Sequence, residues 1–217
     1  MSPTGRPRVL VADDHPFIAE ACVKLLEPEF EVVGRVSDGL ALLAAVPELK
    51  PDVIILDVGM PLLNGLEAGK RIRKTVRAVR IVYLTMNTDK GIAAEAFRGG
   101  ASGYLLKTSA TAELVTAVRE VLKGKKYISP LVTTDAEGFF IETRVSHIGQ
   151  ETLTNRQREV LQLLAEGRSM KEVGYTLKLT PRTVAFHKYK IMERLRLRTN
   201  AELVQYAMRE HIILPST

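Results

Sequence analysis

The stretch Val53-Ile54-Ile55-Leu56-Asp57 decides the fold class of the first half of the chain. Four consecutive aliphatic residues are typical of a strand buried on both faces, and such strands occur in parallel sheets covered by helices. Outward from this stretch, further apolar runs at residues 8–12, 31–36, 80–85 and 103–107 alternate with helical patterns at 16–26, 39–46, 65–76, 89–98 and 111–124. Five strand–helix units predict an α/β fold with a doubly wound, five-stranded parallel sheet. In the last helix, we expect Thr111 to be the cap and Gly124 the stop.

The composition of the 217-residue chain is that of a globular protein. Hydrophobic residues make up 46% and charged residues 26% of the chain, which argues against disorder. No apolar run approaches the ~20 residues of a membrane span, and the polar residues 1–7 lack the apolar core of a secretory signal. A single cysteine, Cys22, excludes an intramolecular disulfide and a multi-cysteine metal site. We therefore expect a cytoplasmic protein without a membrane partner.

The net charge of +6 is unevenly distributed along the chain. Residues 1–126 hold 18 Lys and Arg against 15 Asp and Glu, and residues 127–151 hold one Arg against four acidic residues. Residues 152–217 hold 12 Lys and Arg against six Glu, so their basic excess equals that of the whole chain. This excess predicts a nucleic-acid-binding module at the C-terminus, although a merely well-solvated surface has the same composition.

Polar residues stand at the carboxyl ends of the predicted strands. Asp13 and Asp14 follow the first strand, and Asp57, Thr85 and Lys107 end the third, fourth and fifth strands. Ligands of open parallel sheets gather at this edge, and carboxylates that converge there need raised pKa values or a divalent cation such as Mg²⁺. A lysine and a hydroxyl group beside them can hold phosphoryl oxygens, and an aspartate beside a metal ion can form an acyl phosphate.

Four motifs carry a family resemblance over about residues 8–124. They are Val11-Ala12-Asp13-Asp14-His15-Pro16, Leu56-Asp57-Val58-Gly59-Met60-Pro61 with Gly65, Leu84-Thr85, and Gly100-Ala101-Ser102-Gly103-Tyr104-Leu105-Leu106-Lys107. Together they resemble the flavodoxin-like receiver domain of bacterial two-component response regulators. The resemblance implies that a sensor histidine kinase phosphorylates Asp57. It further implies Mg²⁺ binding by Asp13, Asp14, Asp57 and the Gly59 carbonyl. Thr85 and Lys107 are implied to bind phosphoryl oxygens. Tyr104 is implied to change rotamer when Thr85 moves, as part of a conformational switch.

Two features near the predicted site depart from the receiver pattern. Thr108-Ser109 follow Lys107 where the family more commonly has Pro or Asp, and we expect a change in the local loop. Met86 follows Thr85 at a position where the family usually has a small residue. We expect its bulk to slow attack by water or by small phosphodonors on the site. Met60 and His15 are expected to be structural, with no role in metal binding.

The last 66 residues carry a second pattern, of short capped helices. Thr154 stands before an apolar helical stripe that Gly167 ends, and Ser169 stands before a second helix at residues 170–177. Pro181 starts a third helix, and Thr199 or Asn200 caps a fourth. This order predicts an all-α, four-helix domain that contains a helix-turn-helix.

The third of these helices has one apolar face and one exposed face. At ~100° per residue, Val184, Ile191 and Leu195 fall on one side and are expected to face the core. The basic and aromatic residues of the opposite side fit insertion into a DNA groove, although a solvated helix or a protein contact has the same pattern. The candidate DNA contacts are Arg182, Thr183, Ala185, Phe186, Lys188, Tyr189, Lys190 and Arg196.

A second resemblance covers about residues 152–214. It rests on Leu153-Thr154, Glu159-Val160-Leu161, Ala165-Glu166-Gly167, Lys171-Glu172-Val173, Arg182-Thr183-Val184-Ala185-Phe186-His187-Lys188, Ile191-Met192 and Leu195, which look like the LuxR-type helix-turn-helix. Joined to the receiver pattern, it resembles NarL/FixJ-type response regulators. The resemblance implies a transcription regulator that is not an enzyme apart from its own phosphorylation and dephosphorylation. It also implies double-stranded promoter DNA as a partner and a homodimer as the active form.

Two positions depart from the LuxR-type pattern. Ala185 stands where the family often carries Lys or Arg, which shifts the expected base readout to Phe186, Tyr189 and Lys190. Gly174 stands where the family prefers Ala, and we expect it to weaken its helix slightly.

The expected organisation is a receiver over residues 1–124, a linker over 125–151 and a helix-turn-helix domain over 152–217. The apolar triplet Phe139-Phe140-Ile141 is expected to pack on one of the domains. Two alternatives stay open at this point. One is a phosphorylation-independent regulator that uses the receiver as a dimerisation platform, supported by Met86, and the other is an aspartate-based phosphotransfer enzyme.

Overall fold

Alternating strands and helices build the N-terminal unit of the chain. The structure is a computed structural model that describes residues 5–136, 138–140 and 153–213, divided into an N-terminal and a C-terminal unit. A 3₁₀ helix at Lys107–Ser109 precedes the last long helix of the N-terminal unit. The strands and helices are β1 (Arg8–Ala12), α1 (Pro16–Leu26), β2 (Glu31–Val36), α2 (Gly39–Leu49), β3 (Val53–Asp57), α3 (Gly65–Thr75), β4 (Arg80–Thr85), α4 (Lys90–Arg98), β5 (Gly103–Leu106), α5 (Ala110–Leu122) and β6 (Tyr127–Ile128).

All neighbouring strands of the sheet run parallel, in the order β2-β1-β3-β4-β5-β6. This topology confirms the predicted doubly wound α/β fold. The sixth strand was not predicted, because it has two residues, too few to show a period, and lies within the segment expected to be a linker. Its register pairs Tyr127 with Gly103 and Ile128 with Tyr104, so the sheet continues beyond the five predicted strands.

The core of the N-terminal unit lies on both faces of the sheet. Helix α1 packs beside α5, and α2 packs beside α3. Every residue of β3 is buried, as expected for a central parallel strand. Val9, Val11 and Ile55 point into the cluster that α1 and α5 cover. Each fully buried aliphatic side chain of this kind contributes about 1.5–3 kcal/mol relative to an exposed one.

The junction between β5 and α5 differs from the prediction. Lys107 was placed at the end of a strand, but β5 ends at Leu106 and Lys107 begins the 3₁₀ helix. Thr111 is not a cap, because α5 already begins at Ala110. The Ser109 hydroxyl instead donates to the Leu106 carbonyl, which stabilises the tight turn into the helix. The turn lets Lys107 leave the sheet toward the carboxyl edge.

An aromatic cluster joins residues 139 and 140 to α4. The rings of Phe139 and Phe140 lie 5.9 Å and 4.9 Å from the ring of Phe97, in edge-to-face arrangements. Lys126 Nζ lies 5.2 Å from the centroids of both Phe97 and Phe140. Such contacts contribute about 0.5–1.5 kcal/mol each beyond burial. The expected packing of this apolar segment is therefore found for the two phenylalanines, while Ile141 lies outside the described residues.

Four helices form the described part of the C-terminal unit: α6 (Asn155–Ala165), α7 (Met170–Leu177), α8 (Pro181–Leu195) and α9 (Asn200–Arg209). Their caps are Thr154, Ser169, Thr180 and Thr199, and each side chain accepts a hydrogen bond from the backbone N–H three residues later. Thr199, rather than Asn200, therefore caps the last helix. In the described parts of both units, no helix combines the length and apolarity needed to cross a membrane.

Candidate functional site

Two carboxylates and a lysine meet at the carboxyl edge of the sheet. Asp13 follows β1 and Asp57 ends β3, and these strands are neighbours. Lys107 Nζ lies 2.9 Å from Asp13 Oδ2 and 3.0 Å from Asp57 Oδ2, so one ammonium group bridges both carboxylates. Both carboxylates and the lysine side chain are buried. Doubly wound topology thus brings three of the predicted site residues together.

The charges of this cluster are set by burial and by each other. Burial raises the pKa of Asp57, the Lys107 ammonium lowers it and the Asp13 carboxylate raises it again, with a net increase. For Lys107, burial alone would lower the pKa, but attraction to Asp57 and Asp13 outweighs burial and raises it. The lysine is therefore held protonated, and it compensates part of the negative charge that the site concentrates.

The arrangement of the acidic oxygens fits a hard divalent cation. Asp13 Oδ2 and Asp14 Oδ1 are buried, and they lie 2.9 Å from Lys107 Nζ and 2.8 Å from His15 Nδ1, respectively. Asp13, Asp14, His15 and Asp57 each offer a ligand atom, and these atoms lie within 4.8 Å of one another. A set dominated by carboxylate oxygens suits Mg²⁺. The Gly59 N–H donates to Asp57 Oδ1 over 3.2 Å, which places this residue beside the cluster as well.

His15 lies closer to the cluster than the sequence indicated. Its Nδ1 is 2.8 Å from Asp14 Oδ1, 3.2 Å from Asp13 Oδ1 and 3.4 Å from Lys107 Nζ. The sequence offered no periodic signal for this contact, because His15 is the residue before α1 and its side chain could point either way. The contact orients the imidazole over the two aspartates, while the side chain stays largely exposed.

Asn87 joins the two residues predicted to act as a switch. Thr85 Oγ1 accepts a hydrogen bond from the Asn87 N–H at 3.1 Å, and Tyr104 Oη donates to the Asn87 carbonyl at 3.1 Å. Thr85 and Tyr104 are both buried. Burial, together with the charge of Asp89, raises the pKa of Tyr104, so its hydroxyl stays a hydrogen-bond donor. No sequence pattern signals Asn87, which acts here through its backbone.

Gly65 is the point where α3 approaches the strand that carries Asp57. Its N–H donates to the Val58 carbonyl over 2.9 Å. A Cβ atom at this position would lie 1.9 Å from the Asp57 carbonyl oxygen and 3.0 Å from Val58 Cα. Because both contacts are to backbone, any side chain here would displace the loop after Asp57. The glycine of the sequence motif therefore has a steric role at the site.

The residues predicted to contact DNA lie on or next to α8. Val184 and Ile191 are fully buried and Leu195 is half-buried, so the predicted core face is confirmed, most weakly at its last residue. Arg196 lies beyond the helix, as its left-handed C-cap with φ of 55°. Among the candidate contacts, Thr183, Ala185 and Lys188 are half-buried, and the exposed ones are Arg182, Phe186, Tyr189, Lys190 and Arg196.

Comparison with known families covers both units. Residues 9–119 match the response regulator receiver domain, and residues 151–207 match the bacterial regulatory proteins of the luxR family. The chain belongs to the LuxR-family response regulators. It is 35% identical over 213 residues to the transcriptional regulatory protein LiaR of Bacillus subtilis, covering 95% of this chain and 99% of LiaR.

Solved structures of another response regulator share this architecture. The RcsB response regulator of Salmonella typhimurium is 27% identical, with a TM-score of 0.61, and the match covers 96% of this chain and 99% of RcsB. An RcsB–DNA complex is 28% identical, with a TM-score of 0.57, and the match covers 93% of this chain and 98% of that one. LiaR is a transcriptional regulatory protein and RcsB is a response regulator, the family to which this chain belongs.

Gly174 has a steric role in the helix-turn-helix of this response regulator. A Cβ atom there would lie 2.7 Å from the Leu179 carbonyl oxygen, and the Gly174 carbonyl accepts the Leu179 N–H over 2.8 Å. Glycine is expected to weaken α7, but its lack of a side chain also has a steric advantage that the sequence did not show. The glycine lets the turn between α7 and α8 close tightly.

Proposed function

We propose that this response regulator controls transcription by binding promoter DNA, and that Mg²⁺-dependent phosphorylation of Asp57 by a sensor histidine kinase switches its activity. The observation that carries the proposal is the single Lys107 ammonium bridging the buried carboxylates of Asp13 and Asp57, with the Asp14 carboxylate beside them. A site of this charge and burial is poised to accept a cation and a phosphoryl group. The proposed metal-binding groups are Asp13, Asp14, Asp57 and the Gly59 carbonyl.

In the proposed transfer, a carboxylate oxygen of Asp57 forms a bond to phosphorus as the phosphorus–nitrogen bond of a phosphohistidine breaks. The histidine of the kinase leaves as a neutral imidazole after taking up a proton, and an acyl phosphate remains on Asp57. When bound, Mg²⁺ neutralises charge on the phosphoryl oxygens. Lys107 moves from the Asp57 carboxylate to a phosphoryl oxygen, and the Thr85 hydroxyl donates to another.

The proposed signal passes through the hydrogen bonds around Asn87. A Thr85 hydroxyl drawn toward the phosphoryl group gives up the Asn87 N–H, which it accepts in the present structure. The Asn87 backbone then shifts, and the hydrogen bond from Tyr104 to its carbonyl is released, so that the ring can change rotamer. Phosphorylation in this way biases a pre-existing equilibrium of the receiver.

The proposed output is DNA binding by a homodimer through α8. The basic excess of residues 152–217 and the exposed side chains of α8 support this output, as does the likeness to RcsB, which has been solved with DNA. Two copies would present two α8 helices to half-sites one or two helical turns apart. We assign reception to residues 1–124, linkage to 125–151 and DNA binding to 152–217, in a protein that works in the cytoplasm.

The proposed function is tested by the DNA fragments that the full chain enriches with and without acetyl phosphate and Mg²⁺. We expect phosphorylation to increase enrichment of a defined set of fragments. If a dimer neutralises about eight phosphates, the logarithm of affinity should fall against the logarithm of salt concentration with a slope near −7. Equal enrichment with and without the phosphodonor supports the phosphorylation-independent alternative. An affinity for DNA that does not change with salt concentration contradicts the DNA-binding role.

Replacement of Met86 by Ala tests whether this side chain limits access to the phosphorylated site. Met86 is 59% exposed and directly follows Thr85, so its truncation costs little packing. We expect Met86→Ala to speed both phosphorylation by acetyl phosphate and loss of the phosphoryl group, by up to about tenfold, or about 1.4 kcal/mol of activation free energy. The rates are read from the decay and formation of phosphorylated protein on phosphate-affinity gels. Met208→Ala, at another exposed methionine, is the matched control and should leave both rates unchanged.

A further inference from the structure

Two aromatic rings dominate the exposed face of α8. Phe186 is 59% exposed and Tyr189 is 64% exposed. The two residues are three positions apart and therefore neighbours on one side of the helix. Large apolar side chains this exposed on a helix are costly to leave in water, which points to a partner surface that covers them.

The polar side chains around the rings are engaged within the helix. Lys190 Nζ pairs with Glu193 Oε2 at 2.8 Å, and Thr183 Oγ1 lies 2.8 Å from the hydroxyl of the cap residue Thr180. Ala185 carries no polar group. Reading a guanine edge takes a Lys or Arg side chain that points at O6 and N7. In this structure the middle of α8 therefore presents two aromatic rings, while the Lys190 ammonium and the Thr183 hydroxyl each have a partner on the helix or at its cap.

Basic side chains flank the two rings. Arg182 stands one turn before Phe186 and is exposed, and Arg196 follows the end of the helix. Lys188 Nζ lies 6.0 Å from the ring centroid of Tyr189, at the side of the aromatic pair. Phosphates on both sides of a groove complement this arrangement of charge. Charge complementarity thus favours duplex DNA as the occupant of this face.

The major groove has one apolar group that distinguishes bases, the C5-methyl group of thymine. We propose that Phe186 and Tyr189 read thymine methyl groups, so that this response regulator selects its sites chiefly by apolar contact rather than by hydrogen bonds to guanine. The inference rests on the proposed DNA-binding function and adds the chemical basis of its selectivity. Arg182 and Lys188 then hold the helix on the phosphates.

The test compares two versions of the same duplex. The full chain, treated with acetyl phosphate and Mg²⁺, first selects sites from a random-sequence duplex pool. Each selected site is then made with thymine and with deoxyuridine, which pairs identically and lacks only the methyl group. We expect deoxyuridine to weaken binding about fourfold for each methyl group that a ring covers. Selected sites should also carry A·T pairs at fixed positions.

Variants separate methyl contact from other effects. Phe186→Ala and Tyr189→Ala should each remove the share of the preference due to the methyl group that the ring covers, and the double variant should bring the affinity ratio between the two duplexes close to one. Tyr189→Phe, which keeps the ring, should preserve the ratio. Lys188→Ala should weaken binding to both duplexes equally. Because all these side chains are at least partly exposed, thermal unfolding should report intact folds.

The outcomes distinguish this inference from the function on which it rests. Selective binding with equal affinity for thymine and deoxyuridine duplexes overturns methyl readout and leaves DNA binding intact. A thymine preference that persists undiminished when both Phe186 and Tyr189 are replaced by Ala also overturns it, because the methyl groups would then act through the shape of the DNA. Failure to bind any duplex overturns both the inference and the proposed function.

Discussion

Replacing Asp57 by Asn should abolish formation of the proposed acyl phosphate and leave the receiver folded. The amide keeps the shape of the carboxyl group but cannot attack phosphorus, so no phosphoryl group is retained. The measurement is incorporation of label from a radiolabelled small phosphodonor into the full chain. As a consequence, phosphodonor and Mg²⁺ should no longer alter the DNA affinity of Asp57→Asn.

The stability of Asp57→Asn follows from the sign of the pKa shift. Folding raises the pKa of Asp57, so its ionised form is disfavoured in the folded chain relative to the unfolded one. This penalty is absent below the unfolded pKa, grows as the pH rises toward the folded pKa and is complete above it. An amide escapes the penalty but loses the attraction to Lys107, which keeps Asp13 as a partner. We expect the free energy of unfolding at neutral pH to fall by no more than about 1 kcal/mol or to rise.

Asp52→Asn is the matched control for this experiment. Asp52 immediately precedes β3, at the end of the strand opposite to Asp57, and is exposed. Its Oδ2 accepts the Arg8 N–H over 2.8 Å, and the amide oxygen of Asn can accept the same bond. The control should incorporate label like the unaltered chain. Label retained by Asp57→Asn would show that another residue is the acceptor.

Replacing Gly65 by Ala should destabilise the receiver strongly. Alanine is favoured over glycine in a helix by about 1 kcal/mol, which by itself would stabilise α3. The added Cβ atom, however, would lie 1.9 Å from the Asp57 carbonyl oxygen, so backbone must move. Overpacking of this kind costs about 3 kcal/mol or more when no flexible side chain can yield, and it outweighs the gain in propensity. Thermal unfolding and hydrogen exchange in peptides from β3 and α3 measure the effect.

Gly99→Ala provides the comparison for Gly65→Ala. Gly99 is the C-cap of α4 with φ of −70°, and a Cβ atom there would lie 3.1 Å from Lys70 Cγ and 3.3 Å from the Ala96 carbonyl oxygen. We expect a change within about 1 kcal/mol, because the Lys70 side chain can move and the backbone contact needs a shift of only a few tenths of an ångström. Equal exchange protection of β3 in Gly65→Ala and in the unaltered chain would contradict the steric role assigned to Gly65.

Much of the fold could be predicted from local patterns in the sequence. The aliphatic run before Asp57 is buried along its whole length, and Thr154 and Ser169 cap the helices that follow them. Each of these features depends on residues only a few positions apart. Once the strands were recognised as parallel, the meeting of Asp13, Asp57 and Lys107 followed, because the ends of neighbouring strands share one edge.

Features that depend on distant segments could not be predicted in the same way. β6 has two residues and gains its hydrogen bonds from β5, so its own composition shows no strand pattern. The close approach of Gly174 to Leu179 depends on a turn whose path only the folded chain defines. The Asn87 backbone N–H and carbonyl link Thr85 to Tyr104. Because every residue type except proline has both groups, the identity of residue 87 does not indicate this role.

The sequence by itself determined the fold class and the basic, aromatic face of α8, because hydrophobic period, capping and charge depend on residues close together in the chain. The candidate acceptor Asp57 followed from the resemblance of the sequence motifs to receiver domains. The tertiary structure decided which carboxylates converge on Lys107, why the pKa of Asp57 is raised, and which polar groups of α8 have partners. The physical reason is that burial, electrostatic interaction and side-chain pairing depend on interatomic distances. Those distances are set only when strands and helices far apart in the chain have packed together.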